Sequence, residues 1–206
     1  WDDFTIFTLE PLSKTNAINL INRLPYPEIA DIRDPFKAKI LTQQFDRHIE
    51  FLSVPLLLII MLLMFEQFAE VPDKIVYFYK RAFDTLYYRH DTLKGGFRRR
   101  LQCGLPAEDF AKIFEAFCAA SYRLHRQSFT RQEAAFIADG AKAVADIECD
   151  EKAFVEDLVD SVCLLQQDGT ELSFVHRSFQ EYFCAEYLLS ARLVAAERKI
   201  WLHYLT

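Results

Sequence analysis

Between positions 172 and 189 the chain reads Leu-Ser-Phe-Val-His-Arg-Ser-Phe-Gln-Glu-Tyr-Phe-Cys-Ala-Glu-Tyr-Leu-Leu, and its apolar spacing changes period part-way along. Leu172 and Phe174 alternate with Ser173 and Val175 as in a strand, whereas Phe179, Tyr182, Phe183 and Leu189 follow helical spacing. A fold that contains this stretch has to pass from strand to helix within a few residues, and His176 stands at the change. A side chain there projects from a fixed point, beside the unpaired N–H groups and the positive dipole end of the helix, where a ligand anion meets both. The commoner role of a lone histidine beside apolar residues is core packing or capping.

The residues before this stretch read as a series of helices. Ser13 caps a helix whose stripe is Ala17, Leu20, Ile21 and Leu24, closed by Pro25-Tyr26-Pro27. Asp34-Pro35 is a second start signal, a capping residue with proline at the first helical position, leading a helix that aligns Leu41, Phe45, Ile49 and Leu52. Pro55 restarts the chain into a segment that is apolar on every side through Phe65, hence central to a helical cluster. Val71-Pro72-Asp73 opens another helix, with Ile75, Tyr79, Ala82 and Leu86 on one face. The stretch 90–104, with Gly95, Gly96 and the basic run Arg98, Arg99 and Arg100, reads as a connector whose charges face solvent or a neighbouring subdomain.

Beyond the connector, Leu105-Pro106 starts a helix with Phe110, Ile113, Phe114 and Phe117 facing inward. Thr130-Arg131-Gln132-Glu133 is a capping box for a second helix, and Asp150 caps a third, over 151–161, with Phe154, Leu158 and Val159 as its stripe. Two short strands, 162–166 and 171–175, flank Gln167-Asp168-Gly169-Thr170 and predict a hairpin, with glycine taking the positive φ of a type I′ turn. Three helices followed by a hairpin predict a winged helix. The expected fold class is therefore mainly α: a helical bundle subdomain, then a winged helix of three helices plus a β-hairpin wing.

Composition agrees with this reading. The chain has 206 residues, 51% of them hydrophobic, with nineteen Phe and nine Tyr against five Gly, which favours helices with bulky faces. A formal charge of −6 disfavours nucleic acid and anionic membranes as partners of the whole chain. Five widely spaced cysteines without a C-x-x-C predict reduced thiols in a cytoplasmic setting rather than a disulfide framework or zinc site. The longest apolar run, 54–65, is well short of the roughly 20 residues that cross a bilayer. Trp1 is not an initiator methionine, and the chain is expected to be a piece of a longer protein.

The motif Phe174-Val175-His176-Arg177-Ser178-Phe179-Gln180-Glu181-Tyr182-Phe183, followed by Ala185 and Tyr187-Leu188, closely resembles the end of the winged-helix domain in NACHT-type STAND NTPases. In that family the motif's histidine reaches the β-phosphate of bound ADP and holds a closed, inactive state, and His176 is the matching residue. Ser53-Val54-Pro55-Leu56-Leu57-Leu58 resembles the asparagine-proline-leucine-leucine segment of NACHT helical domains, whose proline packs on the adenine ring. Pro55 is the matching position, with Ser53-Val54 departing from the family pattern.

The resemblance implies residues 1–12 as the end of a nucleotide-binding core, 13–92 as a small helical domain, 93–190 as the winged-helix domain and 191–206 as the start of a further helical domain. It implies ADP/ATP as cofactor, with Mg in the parent, and the missing core and a C-terminal sensor of the same protein as partners. It also implies oligomerisation of like chains on activation, and a role in immune or antiviral signalling. No ligand is expected to bind this piece by itself.

No G-x-x-x-x-G-K-[ST], G-x-S-x-G or H-E-x-x-H occurs, so neither a P-loop nor a hydrolase or zinc-protease motif is present. The five His lack a second ligand at metal-binding spacing, and Glu181 and Glu186 lack partners for acid–base work. No catalytic residue is expected in this stretch of a parent P-loop NTPase. The alternative is a winged-helix nucleic-acid-binding or protein-interaction module. Against groove binding stands the helix over 150–161, which sets Asp150, Glu151, Glu156, Asp157 and Asp160 against Lys152.

Overall fold

A computed structural model describes residues 10–25, 30–68, 75–89 and 101–190. Among them the chain is mainly helical, with one small three-stranded antiparallel sheet. It divides into two compact units, Trp1–Thr85 and Leu86–Thr206. The expected core remnant at 1–9, the close of the first helix at Tyr26-Pro27, the start at Val71-Pro72-Asp73, the basic run Arg98–Arg100 and the segment 191–206 lie outside the described residues.

In the first unit, α1 (Lys14–Arg23) begins where Ser13 Oγ accepts the N–H of Asn16 at 3.2 Å, and it buries Ala17 and Ile21. The Asp34-Pro35 pair does not open a helix as expected. It falls inside α2 (Ala30–Phe36), and the chain then widens into a π-helical turn over Lys37–Leu41, where Thr42 donates its N–H to Lys37 O at 2.9 Å. Proline has no N–H to give Asp31 O and its ring crowds that carbonyl, so it loosens the helix before it. The expected long helix is replaced by this turn, a 3₁₀ turn over Asp46–His48 and the short α3 (Ile49–Leu52), and Ile49 is half exposed rather than aligned with the core.

The apolar segment forms α4 (Pro55–Phe68), which buries Leu57, Leu58, Ile60, Met61, Leu62, Met64 and Phe65. Its axis is bent by 111° from that of Asp46–Leu52. Phe36 meets Phe65 edge-on at 5.5 Å, and Phe51 meets Phe78 of α5 (Ile75–Arg89) at 4.6 Å. No single helix among the described residues is long and apolar enough to cross a membrane.

The second unit is built on α6 (Ala107–Arg123), whose Phe110, Ile113, Phe114 and Phe117 are all fully buried. It is followed by a strand that the sequence reading lacks, β1 (Ser128–Thr130), then α7 (Arg131–Ala145), α8 (Glu151–Glu156), β2 (Leu165–Asp168), β3 (Glu171–Phe174) and α9 (Arg177–Leu189). The capping box is formed: Glu133 donates its N–H to Thr130 Oγ1 at 3.2 Å, and Glu133 Oε2 accepts the Thr130 N–H at 2.8 Å. Asp150 caps α8 by accepting the N–H of Ala153 at 2.8 Å. A π-helical turn continues α8 over Asp157–Ser161, and it is Val155 rather than Val159 that joins Phe154 and Leu158 in the core.

The strand order is β1-β3-β2, with Phe129 opposite Leu172 on one side of β3 and Asp168 opposite Glu171 on the other. The hairpin loop is Gly169-Thr170, and only Gly169 has positive φ, +60°. Positive φ at the first central residue alone belongs to a type II′ turn rather than the expected I′; both match the strand twist. α9 packs against α6, where Phe183 meets Phe114 at 4.9 Å. The inner face of α9 is Phe179, Gln180, Phe183, Cys184, Tyr187 and Leu188, whereas Leu189, expected on that face, is 76% exposed.

Candidate functional site

His176 is placed by both of its neighbours in sequence. Leu172 and Phe174 of β3 turn their side chains into the core, and Val175 donates its N–H to Leu164 O at 3.1 Å, so the strand is held up to the residue before the histidine. Phe179, fully buried, fixes the first turn of α9. His176 lies between them with extended backbone, φ −156° and ψ 133°, as the N-cap of α9, and Phe179 donates its N–H to His176 O at 3.1 Å.

The imidazole is half-buried. Ser178 brings its backbone N–H to Nδ1 at 3.3 Å and its hydroxyl to the same atom at 2.5 Å. A backbone N–H can only donate, so Nδ1 is the acceptor and the proton of the neutral ring sits on Nε2. Nε2 makes no hydrogen bond among the described residues. Burial holds the ring's pKa below its usual value, with Glu181 pulling the other way. The histidine thus caps a helix with one nitrogen and presents an N–H donor with the other.

Pro55 belongs to the first unit and is the first residue of α4, with its ring exposed to solvent. Its missing N–H is harmless there, because the first turn of a helix has no partner for it. The first helical hydrogen bond runs instead from Leu58 N–H to Val54 O at 2.9 Å.

The acidic helix is less uniformly exposed than its sequence implies. Glu151 pairs with Lys142 at 3.0 Å and Glu156 pairs with Arg131, while Asp157 is fully buried. Among the described residues no group of three or more His, Cys, Asp or Glu is placed to hold a metal ion. The cysteines are free thiols: Cys118 and Cys184 are buried, and burial pushes the Cys103 thiol up to about 12.

Sequence reasoning missed two polar features of this unit. Asp157 binds the backbone of Gln102 and Cys103, and the buried Gln180 reaches Ser121 and Arg126. Both contacts join residues more than fifty positions apart, so no local pattern marks them. No family model and no curated protein matches the chain.

Proposed function

We propose that this chain is the regulatory portion of a cytoplasmic NACHT-type STAND NTPase, in which a winged helix closes over ADP held by a nucleotide-binding core outside this chain. What supports the winged-helix reading is the second unit's order, helix, strand, two helices, two strands, which leaves β2 and β3 for the wing. The observation that carries the functional reading is the state of His176: Nδ1 is committed to Ser178, so Nε2–H is the group left to meet an anion. Depressed basicity keeps the ring neutral near pH 7, and the donor works without a change of protonation.

A hydrogen bond from that N–H to a phosphate oxygen contributes about 1.5–3 kcal/mol, the range for bonds to charged groups. Spent on the closed state alone, it shifts the closed-to-open ratio roughly ten- to a hundredfold. Pro55, exposed at the start of α4, offers a flat apolar surface of the kind that packs on adenine. On this reading the parent is a P-loop NTPase that assembles with like chains when released from ADP, in immune or antiviral defence.

The test separates the cap from the latch. Asparagine is among the best N-cap residues, so His176→Asn keeps the helix start and removes the imidazole, whereas His176→Ala removes both. In the full-length parent, both variants are expected to lose co-purifying ADP and gain basal activity. Undiminished ADP in purified His176→Asn protein would sink the latch.

A further inference from the structure

We propose that the second unit binds hydrogen phosphate in a pocket between the end of α6 and the first turn of α9. The pocket has a volume of about 110 Å³ and is lined by Tyr122, His125, Arg126, Gln127, Arg177 and Gln180. With roughly 30 Å³ per water in the liquid, that is space for three or four waters. One tetrahedral oxyanion fits.

Gln180 forms the floor, and its amide is oriented by the protein. The residue is 1% exposed, and its Nε2 donates one proton to Ser121 Oγ at 2.9 Å and the other to Arg126 O at 2.7 Å. Ser121 Oγ is the acceptor because its own hydroxyl donates to Cys118 O at 3.1 Å. Both amide protons are therefore used, and a carbonyl such as Arg126 O can only accept, so the amide cannot be turned round. Gln180 lines the pocket, and its Oε1 makes no hydrogen bond among the described residues. A deeply placed acceptor of this kind calls for a donor from whatever occupies the pocket.

The rim is cationic and comes from two elements. Arg126 lies just past α6, and Arg177 is the first residue of α9. Each has a carboxylate neighbour, Glu133 at 3.6 Å from Arg126 and Glu181 at 2.7 Å from Arg177. These pairs are solvent-exposed, contribute less than about 1 kcal/mol each, and engage only part of each guanidinium fork. The positive end of the thirteen-residue α9 adds to the field.

Cations above and a fixed acceptor below select a ligand that is anionic and still carries a proton. Near neutral pH hydrogen phosphate is such a ligand; sulfate, of similar size and shape, has no proton to give Gln180 Oε1. His176 does not line the pocket, and the proposal does not depend on the nucleotide latch.

The test is a titration of the full chain by calorimetry near pH 7, at matched ionic strength, with inorganic phosphate, sulfate and methyl phosphate. Saturable phosphate binding is expected, with sulfate weaker by about tenfold or more, the loss of one hydrogen bond to a charged ligand. Arg126→Gln and Arg177→Gln are each expected to weaken phosphate about tenfold without changing the melting temperature. Methyl phosphate, which near pH 7 is mostly a dianion with no proton left to donate, is expected to bind about as weakly as sulfate, and its binding as well as phosphate overturns the requirement for a ligand proton. Absence of saturable phosphate binding, equal affinity for sulfate, or indifference to both arginine substitutions overturns the proposal.

Discussion

Asp157 Oδ2 accepts the backbone N–H of Cys103 at 2.8 Å, joining residues 54 positions apart. Oδ1 takes the N–H of Gln102 at 2.9 Å and the hydroxyl of Ser161 at 3.1 Å. The carboxylate is fully buried, and three donors converge on it. In Asp157→Asn an NH₂ group faces one of those donors and leaves it unpaired. The variant is expected to lose about 1–3 kcal/mol of stability, read as a lower urea midpoint at constant m-value.

His176 gives a pH dependence of known sign. Its folded pKa lies below the unfolded reference of 6.5, so through the interval between them the native state binds fewer protons than the unfolded chain. Stability contributed by the neutral ring is present above 6.5 and is lost as pH falls toward the folded pKa, because burial disfavours the charged ring more than Glu181 favours it. Urea titrations of wild type and His176→Asn from about pH 8 to 5 are expected to diverge on the acid side only, with the wild type falling faster. Parallel curves would show that the ring is not held neutral by the fold.

Cys163, two residues beyond the π-helical turn, has φ +54°, a left-handed conformation that L-residues adopt at a cost of roughly 1–2 kcal/mol. Glycine adopts it without strain, at some expense in unfolded-chain entropy. Cys163→Gly is expected to stabilise the second unit by about 0.5–1 kcal/mol, a rise of roughly 1–4 °C in melting temperature.

Phe114 is fully buried and touches Phe183 across the α6–α9 contact, with ring centroids 4.9 Å apart. Phe114→Ala is expected to cost about 3–5 kcal/mol by leaving a cavity in this core, visible in chemical denaturation. A loss under about 1 kcal/mol would mean that α9 is not anchored there.

What the sequence made legible was local. The box at Thr130 and Glu133 spans three residues, and Phe110, Ile113, Phe114 and Phe117 repeat at helical spacing, so both could be read without knowing the fold. β1 could not. Its three residues are too few to show alternation, and its partners Glu171, Leu172 and Ser173 are supplied from far along the chain.

Helix ends were obscured for a different reason. The usual mark is glycine in the left-handed region, but here His125, Asp146 and Cys163 take that conformation. After α6, Arg126 donates its N–H to Ser121 O and His125 to Tyr122 O, a Schellman arrangement without its customary residue. At the candidate site, the position of His176 as a helix start was readable from the change of period. Its tautomer was not, because that depends on the geometry with which Ser178 closes back on the ring.

The strand leading into His176 is the middle one of three, gripped along both margins before the helix takes over. The backbone that carries this imidazole has no hinge of its own. To displace that stretch of main chain would mean unzipping a neighbour or prising α9 from α6, so a switch that moves the histidine's backbone has to carry the surrounding domain along as a single block.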